Sequence, residues 1–503
     1  MSSPNELITV IGRVLPPPAI IYQDAGRIVE LSEGNWNLAQ NKFASTSHLR
    51  RWSWLNIYDK FHKNINIASR WIDGFRNALK NVGVSSDDPI KPYEYQKAQR
   101  PEIEEFIRAS KTAEEFNLSF LLIILPTTDQ PFYNWIKKIA DVEVGIHTVC
   151  VTNQKFFQVG GNLITSKGHK GPSMSYNGTE NSSATQYYAN IAMKINLKLG
   201  GTNHRLGEAE MSLLNPSRTM VIGIDVTHPS PGSLENAPSI AAMAANKNDE
   251  LSQWPVDIQI NRTDLEKKSK EMVTELGRML QSRLRLWHRE HGKVRYPDNL
   301  LIYRDGVAED QFDDVLHQEL PLLRSAAATM YDATKTKEGI PRITLIVCGK
   351  RHHTRFYPSK KEDAAWKPGN ANARCGTVID SGITQVRNWD FYLQSHTPIF
   401  GTARSAHYTV LLNEVFTESL VRPPFRNVAD IVEAVTYNLC YLWGRSTKPV
   451  SYCPPAFYAD RACDRARRWV HQALSPSDPA QTFNVEERHV TIQRDLEESM
   501  FYI

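Results

Sequence analysis

Residues 219–229 read TMVIGIDVTHP, an apolar run that ends on a carboxylate, Asp225. Two further segments repeat the pattern: NLLIYRDGVAED at 299–310 carries Asp305, and PPAFYADRACDRARR at 454–468 carries Asp460. A buried carboxylate is costly unless it is hydrogen-bonded, paired or bound to a metal. Loops after strands are often acidic for ordinary turn reasons, so one such aspartate would mean little. Three together call for a common explanation. Carboxylates at the C-terminal ends of strands in a parallel or mixed sheet meet at one edge, where ligands bind. Such a set suits Mg²⁺ or Mn²⁺. Two of these hard cations about 4 Å apart can orient an attacking water and stabilise the leaving oxygen in phosphodiester cleavage.

Outward from these segments the chain reads as α/β. The residues before 219 predict a strand in RWSWLNIYD, helices in ASRWIDGFRNALKNVG and RPEIEEFIRASKTAEEF, a strand in SFLLIILP, a helix in PFYNWIKKIAD and a strand in GIHTVCVT. Alternating strands and helices with near-continuous apolar strands indicate a parallel doubly wound sheet. Residues 160–187 are rich in Gly, Ser, Asn and Thr and read as an inserted loop; the helix ANIAMKINLKLGG follows. A second α/β unit starts near Arg205. Its long helix spans roughly 263–290 on the spacing of Leu265, Met272, Leu276, Met279 and Leu280, and after the strands NLLIYRD and RITLIVCG the remainder reads as helical. Residues 1–46, with Pro16, Pro17 and Pro18, read as a linker lying against a neighbouring domain.

Composition bounds the answer without deciding it. At 503 residues the chain has room for about three domains. A net charge of +4 neither requires nor excludes a nucleic-acid partner, because a local basic groove can hide in a near-neutral total. The six cysteines show no CxxC pair and read as reduced core thiols. No basic-then-apolar leader opens the chain, and the best apolar run, residues 120–125, is far below the roughly 18 residues of a membrane span. The expectation is a soluble, cytoplasmic protein with no membrane partner.

Two helices in the first half carry paired polar groups at i and i+4: Tyr133 with Lys137, and Lys194 with Lys198. That spacing stacks each pair on one face. Lysine pairs usually form a solvated face, but like charges so placed repel unless an anion lies between them. His352 and His353 are adjacent, so in an extended segment they point apart and make a poor chelating pair. His228 reads as a hydrogen-bonding support of the acidic centre.

The blocks IGIDVTHP, PSIAAM, LIYRDGVAEDQF, KRHHTRF, DSGIT and PPAFYAD resemble, in order and spacing, the PIWI domain of eukaryotic Argonaute proteins, while LPTTDQPFYNWIKKIAD and IAMKINLKLGG resemble their MID domain. The resemblance implies a linker at 1–46, a Rossmann-like MID domain at 47–205 and an RNase H-like PIWI domain at 206–503. It implies small-RNA-guided silencing: a monomer that holds a guide RNA and cuts the complementary target RNA with Mg²⁺ or Mn²⁺, alongside silencing partner proteins. Asp225, Asp305 and Asp460 match three metal-ligand positions; many animal relatives have histidine at the last. The family's fourth acidic position, a glutamate before the long helix, falls on Glu266, or on Asp264 in a gapless register, and Thr263-x-x-Glu266 also reads as a capping box. Tyr133, Lys137, Lys194, Lys198 and Arg465 match binders of the guide 5′ phosphate, with the Tyr133 ring stacking on the first base. The family's glutamine falls on Val149, leaving Thr148 as the polar substitute. Arg445 and Ser451 match contacts to the guide backbone. Two rival functions stay open: a guide-binding silencing scaffold that does not cut, and a guide-independent RNase H-like nuclease or transposase.

Overall fold

The computed structural model describes residues 7–23, 29–38, 41–58, 65–96, 100–158, 182–234, 237–261, 271–293, 295–331, 340–367, 370–474 and 484–503. Two sheets organise them. The first holds β1 (Trp52–Tyr58), β2 (Tyr93–Gln96), β3 (Phe120–Leu125) and β4 (His147–Thr152) in the order β2-β1-β3-β4, all parallel. Every residue of β3, FLLIIL, is buried, which its continuous apolar run requires of a strand covered on both faces. Around it lie α1 (Ile65–Asn81), α2 (Arg100–Thr112), α3 (Gln130–Lys138) and α4 (Ser182–Lys198). Helix α1 buries Trp71, Ile72, Phe75 and Leu79, one stripe at helical spacing. Asp129 caps α3 by accepting from Phe132 N at 3.2 Å.

The second sheet contains β5 (Thr219–Thr227), β6 (Ser239–Ala245), β7 (Val256–Asn261), β8 (Asn299–Asp305), β9 (Arg342–Gly349), β10 (Thr377–Ile379), β11 (Trp389–Gln394) and β12 (Ala406–Asn413). The pair Arg13–Val14 adds a further edge strand against β10. From that edge the order is β10-β11-β12-β9-β8-β5-β6-β7, and only β8 runs parallel to its neighbours, β5 and β9. Helices α5 (Leu276–Glu290) and α6 (Leu320–Met330) cover one face. Helices α7 (Val428–Leu439) and α8 (Pro454–Trp469) pack on the other.

Several expectations change. Strands β10, β11 and β12 occupy part of the stretch read as helical, and β2 adds an edge strand that the sequence reading had not placed. The expected linker is more than a strap: besides its edge strand, Ile20–Ile21 pairs with Arg205–Leu206. Arg13 reaches Asp430 Oδ1 at 2.5 Å and the buried Glu433 carboxylate. Helix α5 starts at Leu276, not near 263. Side chains take over the backbone groups of the preceding residues: Asn261 Nδ2 donates to Met272 O at 2.9 Å, and Val273 N donates to Glu319 Oε1 at 2.9 Å. The capping box at Thr263 and Glu266 lies outside the described residues. The six cysteines are free thiols, all buried except the half-buried Cys150, as expected of core thiols. Among the described residues no helix is long and apolar enough to cross a membrane.

One close approach positions the site. A Cβ on Gly223 of β5 would lie 1.9 Å from the carbonyl carbon and oxygen of Pro455. Only glycine admits α8 this near the strand, and α8 carries Asp460 past the end of the strand that carries Asp225.

Candidate nucleic-acid site: an acidic centre and a cationic cavity

Asp225 is the seventh residue of β5, and Asp305 ends the neighbouring parallel strand β8. Asp460 is the seventh residue of α8, in its second turn. Asp225 feels the charges of both Asp305 and Asp460, and Asp305 feels that of Asp460. Burial, then Asp305 and Asp460, hold the Asp225 carboxyl well above the usual carboxylate range. Burial and Asp460 push Asp305 up to about 6, against an opposing hydrogen bond from Gly306 N. Burial raises Asp460 too, opposed by Arg461, whose Nη2 is 2.6 Å from Asp460 Oδ2.

A further carboxylate, not singled out in the sequence, stands beside the three aspartates. Glu266 and Asp264 lie outside the described residues, whereas Glu271 stands at the centre. A Cβ on Gly306 would be 3.4 Å from Glu271 Oε2 and 3.6 Å from Asp225 Oδ1, so these carboxylates face each other across the turn after β8. His228 Nε2 meets Glu271 Oε1 at 2.7 Å and His228 Nδ1 meets Ser239 Oγ at 2.8 Å, the supporting role expected of that histidine. Among the described residues no group of three or more His, Cys, Asp and Glu side chains is drawn together tightly enough to hold a metal ion. The donor chemistry nonetheless fits a hard divalent cation: Asp225 and Asp305 are mutually repelling carboxylates at the ends of two adjacent strands.

These shifts carry a sign that can be measured. The folded-state pKa of Asp305 is raised, so between the ordinary carboxylate value and about 6 the folded chain binds more protons than the unfolded one. Stability of the metal-free chain therefore falls as pH rises through that window, on the order of 1.4 kcal/mol per pH unit for one group. Urea denaturation of the chain and of Asp305→Asn at several pH values checks this: the variant should lose the share of the dependence that Asp305 contributes, while Asp225 and Asp460 keep theirs.

Basic residues border the acids. Lys350 Nζ donates to Ser451 Oγ and lies 5.4 Å over the Tyr452 ring, and burial and the nearby Arg404 push its pKa down to about 8. His352 turns inward, its Nε2 2.8 Å from Ser405 O, while His353 is exposed, in line with two adjacent histidines pointing apart.

The second feature is a cavity of about 320 Å³ between the two sheets. Tyr133 and Lys137 from α3, Thr148 from β4, Lys194 from α4, Arg445, and Arg461, Arg465 and Arg468 from α8 line it. Lys137 Nζ donates to Thr148 Oγ1 at 2.5 Å and to Thr148 O at 3.1 Å, and lies 5.5 Å over the Tyr133 ring. Arg465 is braced from behind: Nη1 is 2.9 Å from the buried Asp141 Oδ2, which also accepts from Trp469 Nε1 at 3.1 Å. Burial, then Arg445, Lys137 and Arg465, push the Lys194 pKa down to about 7. Cations crowded this tightly are relieved by an anion among them.

Two assignments shift. Lys198 does not line this cavity: its ammonium donates to Phe501 O and lines a separate one, because the chain near the C-terminus supplies a carbonyl on that side. Arg445 does line it, rather than standing apart on a backbone track, and Ser451 sits with Lys350 nearer the acids. Arg461 both pairs with Asp460 and lines the cationic cavity, so α8 joins the two features.

Residues 120–471 match the family model described as Piwi domain. Protein argonaute 12 of Oryza sativa subsp. japonica is 31% identical over 99% of this chain and 46% of its own length. The chain spans under half the length of the curated relatives it matches. The C-terminal lobe of a budding yeast Argonaute is similar in structure, with 25% identity, a TM-score of 0.77 and coverage of 98% of this chain and 95% of that one. Kluyveromyces polysporus Argonaute with a guide RNA matches at 25% identity and a TM-score of 0.79, over 99% of this chain and 57% of that one.

Proposed function

The chain belongs to the Piwi domain family, and from that premise we propose that it is the MID and PIWI portion of an Argonaute-type silencing protein, working in the cytoplasm with a small guide RNA and a complementary target RNA. On this reading residues 1–46 are a linker, 47–205 the MID domain and 206–503 the PIWI domain. The observation that carries it is the cationic cavity. Lysines and arginines from helices packed against both sheets converge on one space, with Tyr133 at its wall, which suits a terminal phosphate and a base stacked on the ring. The solved Kluyveromyces polysporus protein is described with a guide RNA, which supports the same ligand class.

The acidic centre is the proposed cutting site. Asp225, Asp305 and Asp460 would hold Mg²⁺ or Mn²⁺, which when bound supplies the charge that orients water and stabilises the leaving oxygen at a phosphodiester. Glu271 takes the fourth acidic place, held there by His228. Lys350, Arg351 and Arg404 offer cations to strand phosphates beside it. A guide-binding scaffold that does not cut is the second reading, favoured by one observation: Asp460 is engaged by Arg461.

Binding of 5′-phosphorylated against 5′-hydroxyl RNA tests the cavity assignment. The phosphorylated strand should bind at least about tenfold tighter, as charge-assisted contacts to one terminal group imply. Lys194→Ala should erase most of that difference while barely changing 5′-hydroxyl binding. Equal affinities for the two strands in the unaltered chain would overturn the guide-anchoring role.

A further inference from the structure

A groove of about 720 Å³ lies between residues 13–18 and α7, and it shares no lining residue with the cationic cavity. Pro16, Pro17 and Pro18 line it from the first of these segments, and Pro423, Pro424 and Phe425 from the loop before α7. Prolines have no N–H, so these walls present apolar rings and carbonyl oxygens and offer no donors for a backbone ladder. Helix α7 adds Ile431, Ala434 and Asn438, whose i, i+3, i+7 spacing puts them on one face. The exposed Leu420 carries the apolar surface out onto the rim.

One polar side chain is aimed into this groove. Asn438 is 7% exposed and makes no side-chain hydrogen bond among the described residues, yet its amide is open to the groove rather than sealed off from solvent. A largely buried amide without partners is costly, and native structures fill such positions. The charged groups around it divide in two. The acids are engaged: Asp430 accepts from Arg13 Nη1 at 2.5 Å and from Arg426 N at 2.8 Å, and Glu210 Oε1 accepts from Ala19 N at 3.2 Å. The exposed arginines have charge to spare. Arg422 has no carboxylate partner among the described residues, its Nη1 donating to Val421 O at 2.7 Å, and Arg426 stands 3.6 Å from the Asp430 that Arg13 already holds. The groove is therefore apolar inside and positive at its rim. Arg13, held by Asp380, Asp430 and Glu433, fixes the N-terminal wall without a ligand, so binding requires little new ordering.

We propose that this groove binds an extended acidic peptide of a partner protein, with apolar side chains against the prolines and Phe425, one main-chain peptide unit on Asn438, and carboxylates on Arg422 and Arg426. A peptide unit carries both the C=O and the N–H that a side-chain amide pairs with. Leucine-sized side chains cover the rings, and the acids answer the two arginines across the rim. Nucleic acid fits less well, because the cations stand only at the rim while apolar groups make up the walls. The site is independent of guide anchoring, which draws on the other cavity.

The test is fluorescence anisotropy of labelled peptides titrated with the whole chain. The peptide DLELD should bind at least about tenfold tighter than DSESD, which lacks the apolar side chains, and than KLKLK, which reverses the charge. Arg422→Glu/Arg426→Glu should weaken DLELD by at least about tenfold, since both carboxylate contacts become repulsive. Asn438→Leu should weaken it by at least about fivefold while the melting temperature stays level or rises, because the substitution removes an amide that the free protein leaves unpaired. Should the arginine variant fail to fold, Asn438→Leu carries the test alone. The proposal is overturned if DLELD does not bind, if either control peptide binds as tightly, if either folded variant binds it unchanged, or if a 5′-hydroxyl RNA displaces it. A dimer of the free chain that Arg422→Glu/Arg426→Glu dissociates would give the groove to a second copy and overturn it as well.

Discussion

Asp225→Asn should abolish guided cleavage of a complementary RNA, by on the order of 10³-fold or more in single-turnover rate, while 5′-phosphorylated guide binding changes by no more than about twofold. The substitution keeps the shape of the side chain and removes the charge. Asp225 is the most deeply placed of the three aspartates, and its carboxyl feels Asp305, Asp460 and Arg304 together. Neither Asp305, fixed by Gly306 N at 2.8 Å, nor Asp460, turned to Arg461, is free to take its place. The cationic cavity draws none of its lining from β5, so guide anchoring should survive. A variant that still cuts within about tenfold of the unaltered rate would move the chemistry elsewhere. The same assay decides the fourth position: Glu271→Gln should slow cleavage strongly and Glu266→Gln should not.

How much of this was legible depended on whether a residue's neighbours are set by its own element. Asp225 and Asp305 could be read from the sequence because apolar β5 and β8 must be buried and parallel, which brings their C-terminal ends to one edge. Tyr133, Lys137 and Lys194 were readable because helical spacing alone puts each on a face. Glu271 was not, since Asp264, Glu266 and Glu271 share one polar stretch and differ only in where the chain enters α5. That entry point is fixed by Asn261 just before the segment and by two side chains distant in sequence, Arg304 and Glu319. The direction of Lys198 was equally hidden, because the carbonyl that takes its ammonium belongs to Phe501. Strands β10 to β12 escaped because short strands separated by loops carry no long period, and their pairing partners are supplied by β9 and the Arg13 edge.

The same residues that concealed Glu271 give the largest expected loss of stability. Arg304 is fully buried and Glu319 is 2% exposed; Arg304 Nε lies 3.1 Å from Glu319 Oε2, and Nη2 lies 3.1 Å from Oε1. Arg304→Met leaves the Glu319 carboxylate buried without its countercharge, which should cost about 3–5 kcal/mol. Urea denaturation measures it. Arg304→Met/Glu319→Leu removes both charges and should regain most of that loss, since apolar residues of similar volume replace a buried pair at little cost. Cleavage should behave differently. Arg304 also donates to Glu271 O and Asp305 O, and Glu319 accepts from Val273 N, so the pair holds the segment that presents Glu271 to Asp225. The double variant should therefore be stable, bind guide normally and still cut poorly. Recovery of cleavage together with stability would reduce the pair to a packing device and leave Glu271 held by His228 alone.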